Sequence, residues 1–131
     1  MQVQLITPEK IFFSGQAEMV TAPGTEGVFG VLPGHAPLIS TLKAGLVNIE
    51  LAGGEQKRFV VLSGLAEVNP EKVTILAEVA EDCSGMSSAD VSTRLDAAKS
   101  AVDAAISDEQ KKLAGQKLIM AEAIVEALKA A

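Results

Sequence analysis

His35 and Cys83 are the single histidine and single cysteine of the sequence, and they bound the chemistry it could do. A histidine acting as general base needs a nucleophile beside it, yet no Gly-x-Ser-x-Gly elbow or comparable motif accompanies His35. One imidazole cannot build a His-based metal cluster, and a lone thiol has no cysteine partner for zinc or for an intrachain disulfide. Gly24-Thr25-Glu26-Gly27, with Gly30 behind it, superficially suggests a phosphate loop. It lacks the Gly-Lys-Ser/Thr ending, and the pattern that follows does not open a helix. The acids are scattered over turn and helix-surface positions, where a solvated charge is the ordinary reading. No catalytic residue, metal or cofactor is therefore expected, and His35 reads as a side chain shaping the Gly34–Pro37 loop.

The most informative stretch is Pro23 to Leu38, which sets four glycines and three prolines around the short apolar run Val28-Phe29-Gly30-Val31-Leu32. Glycine supplies backbone angles that other residues resist, and proline fixes φ and removes a donor. A flexible linker would not carry Phe, Val and Leu. The segment is built to hold a surface.

Composition narrows the class of that surface. The 131 residues suit one domain, or one domain with an appendage, and 48% hydrophobic content is ample for a core. Aromatics make up 3%, without Trp or Tyr, and the formal net charge is -6. Nucleic-acid binding needs stacking faces and a basic patch, so it is not expected. The N-terminus Met1-Gln2-Val3-Gln4-Leu5-Ile6 reads as neither signal nor transit peptide. No window approaches the ~20 apolar residues of a membrane span, so direct membrane insertion is not expected.

The hydrophobic period changes once, near Cys83. Before it, Val47, Ile49 and Leu51 alternate with polar residues, as do Val3 and Leu5, while Phe59–Leu62 and Val73–Ala77 read as deeper strands. Thr7-Pro8-Glu9-Lys10, Asn69-Pro70-Glu71-Lys72 and Ala52-Gly53-Gly54-Glu55 are turns, and Ser14-Gly15 is expected to bend or bulge one long strand from Ile11 to Ala22. Many short strands with regular turns mean a β-sandwich or flattened barrel. After Cys83 the period becomes helical. Ser87 with Asp90 resembles a capping box opening a helix from about Ala89 to Ile106, with Val91, Leu95, Ala98, Val102 and Ala105 on one stripe. Ser107-Asp108-Glu109-Gln110 is a second capping box, opening a helix to about Lys129 whose apolar side is Leu113, Leu118, Ala121, Ile124, Val125 and Leu128. With almost no linker, the two helices either fold back as a hairpin or continue as a bent rod.

These residues resemble a known family. Ser14-Gly15, the Gly24–Leu38 run with its Pro33-Gly34-His35-Ala36-Pro37-Leu38 ending, Gly45-Leu46-Val47, Leu62–Val68 and Asn69–Ala77 are similar, in order, to the epsilon subunits of F-type ATP synthases, called delta in mitochondria. The resemblance implies an α+β chain: an N-terminal ten-stranded β-sandwich (1–83), a connector (84–88) and a C-terminal antiparallel helical hairpin (89–131). It implies a non-catalytic central-stalk subunit linking gamma to the c-ring, so that ion flow is coupled to ATP synthesis. The c-ring contact would lie on Glu26, Gly27, Val28, Phe29, Gly30, Gly34 and His35, with gamma placed near Leu38–Leu42. The hairpin, when extended, would meet the catalytic alpha and beta subunits through Lys111, Lys112 and Lys117 and restrain hydrolysis. Many bacterial relatives carry an Ile/Leu-Asp-x-x-Arg-Ala motif that helps bind ATP. Here Asp90 and Arg94 stand one residue too far apart, which turns Arg94 by ~100° on a helix. Weak or absent ATP binding is expected, which also counts against a stand-alone nucleotide-sensing module with a helical lid. The implied location is peripheral, on the cytoplasmic face of a bacterial inner membrane, with the plastid thylakoid as second choice.

Overall fold

The computed structural model describes residues 1–129, which divide into two compact units, one ending at Ser84 and the other beginning at Gly85. The first holds ten strands: β1 (Gln2–Ile6), β2 (Ile11–Gln16), β3 (Met19–Gly24), β4 (Gly27–Val31), β5 (Leu38–Leu42), β6 (Gly45–Glu50), β7 (Gln56–Val61), β8 (Gly64–Val68), β9 (Lys72–Ala77) and β10 (Ala80–Asp82). They form one sheet in the order β10-β7-β6-β3-β5-β8-β9-β1-β2, with β4 paired to β3. Every pairing is antiparallel except β1 with β9. Phe59, near one end of that order, packs on Phe12 and Phe13 of β2 at the other end, with ring centroids 6.3 and 6.5 Å apart. The sheet therefore curls until its ends meet across the core, giving the expected flattened sandwich. Inward residues alternate along each strand, and Val3, Leu5, Val47, Ile49 and Ile75 are fully buried.

Turn chemistry closes the strands as the residue types dictate. Asn69 Oδ1 accepts from the Glu71 and Lys72 amides at 3.0 and 2.8 Å, and Gly53 and Gly54 take φ near 86° and 88° between β6 and β7. The expected irregularity at Ser14-Gly15 is absent. Register runs unbroken through both residues, and the bulge falls where Leu5 faces Phe13 but Ile6 faces Ile11, leaving Phe12 as the extra residue. Phe12 is thereby re-aimed onto Phe59. The long strand instead breaks at Ala17-Glu18, where the Ala17 amide donates to the Met1 carbonyl at 2.9 Å.

The second unit is a pair of helices, α1 (Ser88–Ala104) and α2 (Asp108–Lys129). Val91 and Leu95 near the start of α1 share a groove with Val125 and Leu128 near the end of α2, while Ala101 and Ala104 lie beside Leu113 and Ala114. The helices are thus antiparallel, and the choice left open by the sequence falls to the hairpin. Both caps are present. Ser87 Oγ accepts from the Asp90 amide at 3.2 Å, and Ser107 Oγ accepts from the Gln110 amide at 3.1 Å. Leu113, expected on the apolar side, is instead 53% exposed; α2 buries Ala114, Met120, Ala121, Ile124 and Ala127.

Candidate functional site

The β3–β4 hairpin turns at Thr25-Glu26, with Gly24 paired to Gly27. Gly27 adopts φ 139°, and a Cβ at Gly24 would lie 2.7 Å from the Gly27 carbonyl and 3.0 Å from the Phe29 ring. No other residue fits that turn and that ring together. The tip is tied to β5: the Thr25 amide donates to the Thr41 carbonyl at 3.0 Å, and the two hydroxyls meet at 2.8 Å. Below it the Lys43 amide donates to the Pro23 carbonyl at 3.0 Å. The tip is a braced structure, not a loose loop.

Bracing matters because of what it displays. Val28 is 71% exposed, Leu32 58% and Ile39 70%. Val28 and Phe29 line one groove with Leu38 and Ile39, with Glu26 and Thr25 at its polar edge. Phe29 is half-buried, its ring packed over Gly24, whereas Glu26, Gly27, Val28 and Gly30 are exposed. Gly34 and His35 sit at the other end of β4, about 13 Å along the strand. There Gly34 adopts φ 86°, its amide donates to the Pro70 carbonyl at 2.9 Å, and His35 Nδ1 lies 2.6 Å from the Ala36 carbonyl. The residues read as one contact loop thus occupy two stations, and His35 serves the shape of its own turn. Ile39 escaped the sequence reading. Its signal was the run Leu38-Ile39, which puts apolar side chains on both faces of β5.

In the helical unit, Asp90 is exposed in the first turn of α1 and Arg94 is half-buried one turn on. The groove between the helices is lined by Val91, Leu95, Val125 and Leu128 with Ser88, Ser92 and Lys129, and neither Asp90 nor Arg94 contributes to it. Lys111, Lys112 and Lys117 are exposed on α2. At 100° per residue they point about 100°, 140° and 120° apart, so they share no face.

Cys83 closes the sandwich unit. It is buried, its Sγ lies 3.5 Å from the Arg58 carbonyl, and burial, reinforced by the Asp82 charge, pushes its thiol up from the ordinary value. That environment makes a weak nucleophile.

Residues 1–83 match the family described as ATP synthase, Delta/Epsilon chain, beta-sandwich domain. The chain is 40% identical over 128 residues to the ATP synthase epsilon chain of Rhodospirillum rubrum, covering 98% of this chain and 96% of that protein. It is 39% identical, over the same shares, to the ATP synthase epsilon chain of Paramagnetospirillum magneticum. Among solved structures, it is similar to a chain of the Euglena gracilis mitochondrial ATP synthase, OSCP/F1/c-ring, with a TM-score of 0.72 and 22% identity over 96% of this chain and 79% of that one. It is also similar to a chain of the Tetrahymena thermophila mitochondrial ATP synthase central stalk and c-ring, with a TM-score of 0.57 and 15% identity over 97% and 95%. At those identities the structural likeness shows the fold.

Proposed function

The chain belongs to the delta/epsilon chain family of ATP synthases, and from that premise we propose that it is a non-catalytic rotor part, seated between gamma and the c-ring. The observation that carries this reading is the braced apolar surface of Val28, Phe29 and Ile39, held by the Thr25–Thr41 tie. A part that transmits torque must not yield, and a surface already ordered loses no conformational freedom when a partner covers it. Glu26 and Gly27 would flank the c-ring contact, with Gly30 on the outer face of β4. Gly34 and His35 form the second station of that contact. The described residues contain no helix long and apolar enough to cross a membrane. A peripheral position on the cytoplasmic face of a bacterial inner membrane fits this reading.

The two units divide the labour: the sandwich couples, and the hairpin regulates. If the hairpin restrains hydrolysis through the catalytic alpha and beta subunits, the spread of Lys111, Lys112 and Lys117 around α2 lets only one or two of them meet any one acidic surface. ATP is not expected to bind the isolated chain. The groove between the helices is walled by Val91, Leu95, Val125 and Leu128 and takes nothing from Asp90 or Arg94. Equilibrium titration with millimolar ATP checks this, and saturable sub-millimolar binding would refute it.

Pull-down of a tagged chain from membranes tests the assignment. It should recover gamma together with the c-ring. Val28→Asp with Ile39→Asp should lose the c-ring while the sandwich stays folded, because a carboxylate forced into a dry contact costs several kcal/mol. Undiminished recovery of the ring by the double variant would overturn the assignment.

A further inference from the structure

Among the described residues three strands pair with a single neighbour, β10, β2 and β4, and two of these edges are blunted. β10 is three residues long and carries Glu81 and Asp82, while β2 is broken in register by the bulge at Phe12. Charge, shortness and bulges are the usual means of keeping an edge from pairing with another chain. β4 has none of these. Its register against β3 is unbroken from Gly27 to Val31, and Gly27-Val28-Phe29-Gly30-Val31 contains no charge and no proline. Gly27, Val28 and Gly30 are exposed.

The backbone of β4 meets that open side in a definite pattern. Val28 lies opposite Pro23, which has no N–H and whose carbonyl accepts from the Lys43 amide at 3.0 Å on the far side of β3. Residues of an antiparallel ladder direct both backbone groups to one side and alternate along the strand. The N–H and C=O of Val28, and two residues on those of Gly30, are therefore directed off the free side. We propose that β4 is a self-recognition edge, and that two unassembled copies of the chain pair their β4 strands antiparallel about Phe29. That centre sets Val28 opposite Gly30 of the second copy, and Gly30 opposite its Val28. Each such pair exchanges two hydrogen bonds, so all four outward groups are satisfied. On the exposed face each Val28, 71% exposed in the single chain, lies against a glycine, where no side chain opposes it. Each Glu26 falls opposite Leu32 of the other copy, so the two Glu26 Cα atoms stand about 21 Å apart and the carboxylates do not repel. The geometry of β4 alone carries the pairing. Because Val28 also belongs to the surface that the rotor reading gives to the c-ring, the pair is a state of the chain before assembly, and that clause rests on that reading.

Sedimentation equilibrium of the full chain tests it, with a spin-label distance to fix the register. A five-residue edge falls short of the roughly 1,200 Å² that lasting complexes bury, so the monomer–dimer midpoint should lie between about 0.1 and 1 mM chain. Val28→Lys sets two cations into the pairing. Gly30→Pro deletes an outward donor and leaves the ladder with β3 in place. Each should weaken association at least about tenfold with the circular dichroism of the parent retained. Glu26→Cys in a Cys83→Ser background, which removes the single native thiol, should give a separation between labelled backbones near 21 Å that Val28→Lys abolishes. A parent chain that stays monomeric throughout that concentration range would overturn the edge, whatever the variants do. So would a dimer that both variants leave intact, or one whose labels show no such separation.

Discussion

Gly64 shows how tightly single residues fix this sheet. A Cβ there would lie 2.2 Å from the Leu76 carbonyl oxygen and 3.0 Å from the Ala77 Cα, both backbone atoms of β9. Gly64→Ala must push β8 off β9 and should cost roughly 1–3 kcal/mol, read as a lower urea midpoint; an unmoved midpoint would contradict the contact. Nothing in Leu62-Ser63-Gly64-Leu65 announced this, because the obstacle comes from a strand partner and not from the turn. Gly53 and Gly34 were legible, since hairpin and proline-rich turns ask for positive φ locally. Cys83 gives a second check at this scale. Its thiol is held above the ordinary value of 9.0 by burial first and Asp82 second, so the folded state keeps the proton longer than the unfolded one. Its contribution to stability is complete below the ordinary thiol value and declines as pH rises through the folded one. Alkylation of the native chain at pH 8 should run at least about tenfold slower than in denaturant; equal rates would contradict the buried environment.

The helices were legible down to their caps, because capping is local chemistry: Ser87 and Ser107 each receive the amide three residues on. Burial along them was less so. Leu113 matched the apolar period yet stands exposed, since period assigns a face but not how much of it the neighbouring helix covers. The β-bulge was misplaced for a related reason. Ser14-Gly15 has the composition of an irregularity, but the extra residue is Phe12, chosen by the ring of Phe59 some 47 positions away. Gly115 offers a test at this scale. It sits inside α2, and a Cβ there meets nothing within 4 Å. Gly115→Ala should stabilise α2 by up to ~1 kcal/mol, seen as slower amide hydrogen exchange across residues 111–119. Faster exchange would show that the glycine is needed for packing.

At the scale of the molecule, the single change of period near Cys83 marks the passage from a strand-built unit to a helical one. The strands were readable one by one; their order was not. The parallel pairing of β1 with β9 joins segments about 70 residues apart and leaves no local trace in either. The candidate surface was half readable: the Gly- and Pro-fixed run pointed to β4, but its partner Ile39 and the Thr25–Thr41 brace emerge only when β5 lies alongside. The most direct measurement of the central claim is ion pumping per ATP hydrolysed in membranes whose enzyme lacks this chain and is then given it back. On the proposed reading the chain should restore pumping from a low level without turnover of its own, and the Val28→Asp, Ile39→Asp variant should not. Full coupling without the chain, or ATP turnover by the purified chain alone, would contradict the proposed role of a rigid, non-catalytic link.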